Sequence, residues 1–347
     1  STNTSTRDRS MVTGVTIAAS STPIPLPDRL TLRPRAREQW SLLMADLEQL
    51  LIQTSRTFAL SIPRLPGSVR REVALAYLLF RIADTFEDAA RWPRARRLAA
   101  LGEFGALLQR RDRAKAASLA LSWVAASPCD HEGYLELLAH TPDVIEEIDK
   151  LTPEARAIVV KHALRTTEGM ASYVSRSTDE GALQLQDIED LRNYCYIVAG
   201  IVGELLTEIF VLADPKLQKA AAQLDARSKV FGEGLQLVNI LKDAGDDAKE
   251  GRVYLPPGVE RAEVFALARS DLRTAAEYVR ALHAAGTERG FVEFTALPVM
   301  LARATLDAVE MQGSGAKVSR VRVAEMVTAL DERLDHGKDV FGADTGW

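Results

Sequence analysis

An all-α fold follows from three features of this 347-residue sequence. From about Arg35 onward, apolar residues recur at steps of three and four, the period of helices that bury one face. Alternating apolar and polar runs, the mark of half-buried strands, are few. The periodic stretches are separated by compact clusters of Pro, Gly, Ser and Asp, residues that end helices.

The elements follow in order. Residues 1–34 open with a Ser- and Thr-rich stretch lacking any helical period, and are read as a disordered or extended N-terminal segment. One domain, over 35–340, follows. It starts with "LLMADLEQLLIQ", breaks at "IPRLPG" (62–67), resumes with "EVALAYLLFRIADTF", and breaks again at "RWPR" (91–94) and "ASPCDHEG" (126–133). A further break at "SRSTDEG" (175–181) precedes the apolar "YIVAGIVGELLTEIFVL" and then "GLQLVNILKDAGDD". "VYLPPGVE" (253–260) ends that stretch, Pro298 is expected to kink a later helix, and "VAEMVTALDERL" closes the pattern.

Composition excludes several classes. A net charge of −5 offers no broad attraction for nucleic acid. Two cysteines, Cys129 and Cys195, make neither a disulfide framework nor a zinc site, which favours a reducing, cytoplasmic setting. No basic-flanked apolar core marks a signal peptide. No run is read as approaching the roughly 18 apolar residues of a spanning helix. A soluble protein, at most lying on a membrane, is expected.

The chemistry concentrates at two helix ends. In "NILKDAGDDAKEGRVYLP" (239–256), Asn239, Asp243 and Asp247 fall four apart, on one stripe. Like charges at that spacing repel by about 0.2–0.5 kcal/mol per pair, and the helix dipole disfavours acids at a C-terminal end. Asp84 and Asp88, with Glu87 beside them in "DTFED", repeat the arrangement. Either these are solvated faces or they hold a cation. Mg²⁺ takes oxygen ligands and is commonly held by one or two carboxylates together with substrate phosphates. Two such patches across a helical cavity would suit a diphosphate.

The segments "SRTFALSIPRLP", "YLLFRIADTFEDA", "NYCYIVAGIVGELLTEIF" and "GLQLVNILKDAGDDAKEGRVYLP" resemble the squalene and phytoene synthase family, which joins two prenyl diphosphates head to head. The resemblance runs from about residue 40 to 335. It implies the isoprenoid-synthase helical bundle around a central cavity, with Mg²⁺ held by Asp84, Glu87, Asp88, Asn239, Asp243 and Asp247. Gln236 would share the second patch. Arg56, Arg81 and Lys242 would bind diphosphate, with Lys242 where relatives carry Arg, and Arg252 would add charge. Asp246 stands where Glu is usual. Tyr194 resembles the tyrosine of the first half-reaction, supported by Tyr77 and Tyr254. Phe58 and Phe294 would flank the cationic intermediates, and Lys317 and Arg320 are further phosphate candidates.

Within the family, "FTALPVMLARATL" (294–306) and the long middle region resemble the squalene branch, most closely its bacterial members. That branch implies farnesyl diphosphate as substrate, presqualene diphosphate as intermediate, NADPH as reductant and squalene as product. "NILKDAGDDAKEGRVYLP" and "KVSRVRV" (317–323) resemble the dehydrosqualene and phytoene branch, which needs no reductant. A third alternative is a helical binding protein that kept the fold and lost the chemistry. Peripheral membrane contact for product release is expected. The apolar runs should wall a tunnel for the prenyl chains, with Gly200, Gly203 and Gly234 leaving room. Replacing Asp84 or Asp243 by Ala should abolish turnover while stability holds or rises slightly.

Overall fold

The computed structural model describes residues 48–342 except 56 and 90. The predicted N-terminal segment, 1–34, lies outside the described residues. The chain forms helices α1 (48–54), α2 (Phe58–Ser61), α3 (Gly67–Glu87), α4 (Arg94–Arg110), α5 (Arg113–Ala125), α6 (Glu132–Ala139), α7 (Thr141–Asp149) and α8 (Pro153–Arg176). After a loop come α9 (Ile188–Cys195), a π-helical turn (Tyr196–Gly200) and α10 (Ile201–Ala213). The last four are α11 (Ala221–Lys249), α12 (Arg261–Ala284), α13 (Arg289–Gln312) and α14 (Arg320–Asp335). Each predicted break falls between helices. The helical assignment of α13 continues through Pro298.

Helix starts follow local chemistry. Asp187 opens α9 by accepting from the Asp190 N–H at 2.8 Å, and Thr152 opens α8 by accepting from the Ala155 N–H at 3.2 Å with Pro153 at the first helical position. Such caps satisfy amides that have no partner within the helix. The turn between α4 and α5 lacks Gly and Pro, so the period alone does not reveal it; Arg111 adopts φ 51° there, the left-handed region.

The centre of the bundle is α11, which packs along α12, α10, the π turn and α13. Its contact with α10 is close. A Cβ added at Gly203 would lie 1.8 Å from the Ser228 carbonyl oxygen, and one at Gly234 would meet Asp271 at 3.0 Å. At Gly200 it would meet the Tyr196 ring at 2.7 Å. These three glycines therefore let helix backbones touch and leave no space for a prenyl chain, which corrects the expectation from sequence.

A second correction concerns apolar length. The continuous segment Ile188–Ala213 is long and apolar enough to cross a membrane, although 61% of its most apolar window is buried inside the bundle, as in a core helix.

Two strands, β1 (Leu183–Gln184) and β2 (Arg252–Val253), pair in parallel with Leu183 opposite Arg252. Gly251, at φ 77°, turns the chain out of α11 into this pairing. The Leu183 N–H donates to the Gly251 carbonyl at 3.2 Å and the Leu185 N–H to the Val253 carbonyl at 3.1 Å. This small sheet fixes where Arg252 sits.

Candidate active site

Helix α3 ends in the first acidic patch. Arg81, one turn before Asp84, is 1% exposed and donates to Asp84 Oδ2 at 2.5 Å. Its Nε donates to the Tyr77 hydroxyl at 3.3 Å, which in turn donates to the Thr54 carbonyl at 2.7 Å. Its guanidinium also lies over the Tyr134 ring, 5.0 Å from the centroid. Arg81 is thus fully engaged inside the protein. Burial pushes the Asp84 carboxyl well above the carboxylate range, against Arg81 and with Asp88 and Glu87 adding to the rise. Glu87, half-buried, is pushed up to about 8, chiefly by burial and then by Asp88.

Helix α11 carries the second patch. Asp247 is 2% exposed, whereas Asp243 is half-buried with Lys242 Nζ 3.1 Å from its Oδ2. Lys242 is itself buried, and its carbonyl accepts from the Gly315 N–H at 2.7 Å. Asp246 turns to Lys249, 2.9 Å away. Higher on α11, the side-chain oxygens of Gln236 and Asn239 are buried without a hydrogen-bond partner among the described residues.

Arg252 joins the two patches. Its Nη1 is 3.4 Å from Asp88 Oδ1, and its Nη2 is 3.8 Å from Asp247 Oδ1 and 2.6 Å from Glu250 Oε2. Burial opposes its charge, but Asp88, Tyr254 and Asp247 outweigh that and raise its pKa. The acidic ends of α3 and α11 therefore lie within the span of one guanidinium.

The tyrosines stand beside this bridge. The Tyr194 hydroxyl donates to the Tyr254 hydroxyl at 3.2 Å, and their rings stack at 4.9 Å. Glu87 also stands near Tyr194. Burial, with Glu87 next, pushes its phenol well above the ordinary value, so it remains a proton donor. A cleft opens on Glu87, Asp88, Arg97, Arg252 and Tyr254.

A separate apolar pocket is lined by Phe58, Tyr77, Phe80, Val202, Leu206 and Phe294 among others. The Phe58 ring lies 5.4 Å from Tyr77 and 6.3 Å from Phe294. Tyr77 links the two regions, because its ring lines the apolar cavity while its hydroxyl accepts from Arg81.

Several predicted residues stand apart or cannot be placed. Arg56 lies outside the described residues. Lys317 and Arg320 are exposed at the approach to α14, in the segment whose Gly315 bonds α11. The sequence reading also missed residues. Arg97, buried, donates to the Glu87 carbonyl at 3.3 Å and to Ser177 Oγ at 2.8 Å. Tyr173 meets the Tyr194 ring edge-on at 5.0 Å. Neither belongs to an acidic or aromatic spacing pattern, so only tertiary contact reveals them.

Outside the cleft, a buried carboxyl offers a stability test. Asp271 on α12 is 4% exposed and its Oδ2 has no hydrogen-bond partner among the described residues. Burial, with Glu233 adding to it and Arg192 opposing, pushes its pKa up to about 7. A carboxyl raised in the folded state favours folding while protonated, and that contribution is lost as pH rises from about 4 to about 7. Asp271→Asn should therefore match wild type near pH 4 and exceed it above pH 7, by up to about 4 kcal/mol. Urea unfolding across this range measures the difference, and one independent of pH would refute it.

Comparison with known proteins places this architecture. Squalene synthase of Schizosaccharomyces pombe is 32% identical over 211 residues, 60% of this chain and 43% of that protein. Squalene synthase of Ganoderma lucidum is 28% identical over 224 residues, 65% of this chain and 44% of that one. The chain spans less than half the length of these relatives. Among solved structures, TcSQS with the ligand BPH1237 aligns with a TM-score of 0.67 at 22% identity, covering 83% of this chain and 86% of that one. A dehydrosqualene synthase in complex with ligand aligns at 0.59 and 21% identity, covering 86% and 99%. The bundle is the all-α isoprenoid-synthase fold. The squalene/phytoene synthase profile matches residues 51–259, and the chain belongs to that family.

Proposed function

We propose that the protein joins two farnesyl diphosphates head to head, through presqualene diphosphate, and that NADPH reduction then gives squalene. One observation carries this reading: two acidic helix ends meet at Arg252, and Tyr77 connects them to a cavity of aromatic and aliphatic side chains. Charge chemistry and hydrocarbon shelter are thus adjacent.

Among the described residues, no compact metal cage is already assembled. The donors nonetheless fit Mg²⁺: all are oxygens, and the Asn239 amide oxygen is buried with no hydrogen bond among the described residues. Asp84, Glu87 and Asp88 on one side, and Asn239, Asp243 and Asp247 on the other, would hold it. Bound there, Mg²⁺ would neutralise diphosphate charge.

The chain's own groups do the rest. Arg252, with Arg81 behind it, attracts the diphosphate and opposes charge growing on it as it leaves. The Tyr194 hydroxyl, held neutral beside Tyr254, can donate a hydrogen bond to the departing oxygen. Phe58, Phe294 and Tyr77 line the pocket where an allylic cation would form, and aromatic rings can attract cations. Their packing excludes water that would convert the cation to an alcohol. The second substrate's alkene attacks that cation, and loss of a proton from the new cation to the released diphosphate closes the cyclopropane.

Among the described residues the pocket lining carries no charged side chain, so it suits a hydrocarbon chain and not the phosphates of a nucleotide. Support for reduction comes from the squalene synthases among the relatives.

Incubation with farnesyl diphosphate and Mg²⁺, with and without NADPH, tests the reading. Squalene is expected with NADPH, and presqualene diphosphate or dehydrosqualene without it. Product independent of NADPH, or preference for geranylgeranyl diphosphate, would move the assignment to the dehydrosqualene or phytoene branch. No release of diphosphate under any condition would favour a non-catalytic binding protein.

A further inference from the structure

Immediately after Tyr194 the chain leaves α-helical geometry. Residues Tyr196–Gly200 form a π-helical turn, and the Ile201 N–H bonds the Tyr196 carbonyl five residues back. Such a turn absorbs one extra residue in a helix. The extra residue changes which side chains share a face. At about 100° per residue, an unbroken α-helix would set Tyr194 about 80° from Val202 and about 120° from Leu206. With one residue absorbed, Tyr194 lies within about 20° of both. Val202 and Leu206 line the apolar cavity. The wide turn therefore puts the tyrosine of the polar cleft and the wall of the apolar cavity on one face of one continuous helical segment.

Neighbouring helices are shaped to hold this turn. The buried Thr166 hydroxyl on α8 donates to the Ile197 carbonyl at 3.1 Å. Gly169, one turn on, leaves room for Ile197: a Cβ there would lie 2.5 Å from Ile197 Cγ2. On the other side Gly232 of α11 admits the turn's backbone, since a Cβ there would lie 2.0 Å from the Ala199 carbonyl oxygen. From the surface, Arg165 donates to the Tyr196 hydroxyl, and its Nη1 donates to Glu204 Oε2 at 2.7 Å. The Tyr196 hydroxyl donates onward to Glu204 at 3.3 Å.

We infer that Thr166 and Arg165 are positioning residues that hold the π turn, and through it set the rotation of α9 that aims Tyr194 at Glu87 and Tyr254. This rests on the proposed reaction only for the role of Tyr194. Thr166→Val keeps the shape and removes the donor, and Thr166→Ser restores it. Thr166→Val should lower diphosphate release from farnesyl diphosphate about 10-fold at saturating substrate, with KM unchanged, and Thr166→Ser should recover it. In a Tyr194→Phe background, Thr166→Val should cost nothing further, because both changes act through one hydroxyl. An equal loss in both backgrounds would overturn the inference.

A second readout needs no catalysis. Cys195, next to Tyr194, is fully buried, and the other cysteine, Cys129, can be replaced by Ser. In Cys129→Ser protein, the Cys195 thiol should resist an aromatic disulfide reagent. Thr166→Val or Arg165→Met should speed its modification at least about 10-fold while Thr166→Ser does not, since opening then exposes this segment. Unchanged thiol rates in both variants would overturn the inference. If the native protein released no diphosphate, the proposed reaction would fail while the thiol rates still decided whether the clasp positions α9.

Discussion

Asp243→Ala is expected to lower diphosphate release at least about 10²-fold while leaving the melting temperature close to that of the native protein. Asp243 is half-buried, and Lys242, whose ammonium it faces, is its neighbour in the chain. Its loss removes charge from the second patch and relieves repulsion along α11, while the buried Lys242 keeps a further contact. Asp84→Ala should lose turnover to the same degree but also unfold more easily. Its carboxyl is the acceptor for the Arg81 guanidinium, which is 1% exposed, and removing one member of a buried pair costs about 3–5 kcal/mol. The sequence reading expected stability to hold for both, and burial separates them. Diphosphate release at saturating Mg²⁺ together with thermal unfolding checks the pair. Near-normal turnover in Asp84→Ala would remove the first patch from the site.

Arg252→Ala should be the more informative change. It leaves Asp88 and Asp247 facing each other with no guanidinium between them, so stability should fall by about 3–5 kcal/mol. Mg²⁺ should then stabilise the variant more than the native protein, because an added cation replaces the missing charge and binding to the folded state raises stability. Arg252→Lys should recover less than half of the lost turnover, since one ammonium cannot reach two carboxylates from two separate nitrogens. Melting temperatures with and without millimolar Mg²⁺ decide the matter. An equal Mg²⁺ response in native and variant protein would show that Arg252 and the ion do not share a place.

Much of the layout of the candidate site is legible in the sequence. The four-residue spacing of Asn239, Asp243 and Asp247 put them on one stripe because the helical period alone dictates it. The same held for Tyr77, Arg81 and Asp84, which do form a connected chain of contacts. The glycines were misread for a related reason. A glycine in an apolar helix is consistent with space for a ligand or with contact between backbones, and only the partner helix distinguishes them. At Gly203 that partner is the Ser228 carbonyl.

The sequence by itself determined the helices, their main breaks and the two acidic ends, because these depend on periodicity, turn chemistry and charge within a few residues. Tertiary structure alone decided that Arg252 would stand between Asp88 and Asp247, carried there by Gly251 and the pairing of Leu183 with Arg252. It also decided that Arg97 and Tyr173 would join the cleft, and that Tyr194 would turn onto the face of Val202 and Leu206. Each of these depends on a contact between residues distant in the chain or on one residue absorbed in a helical turn. Local propensity carries no record of either, because the energy that selects them arises only when the helices pack.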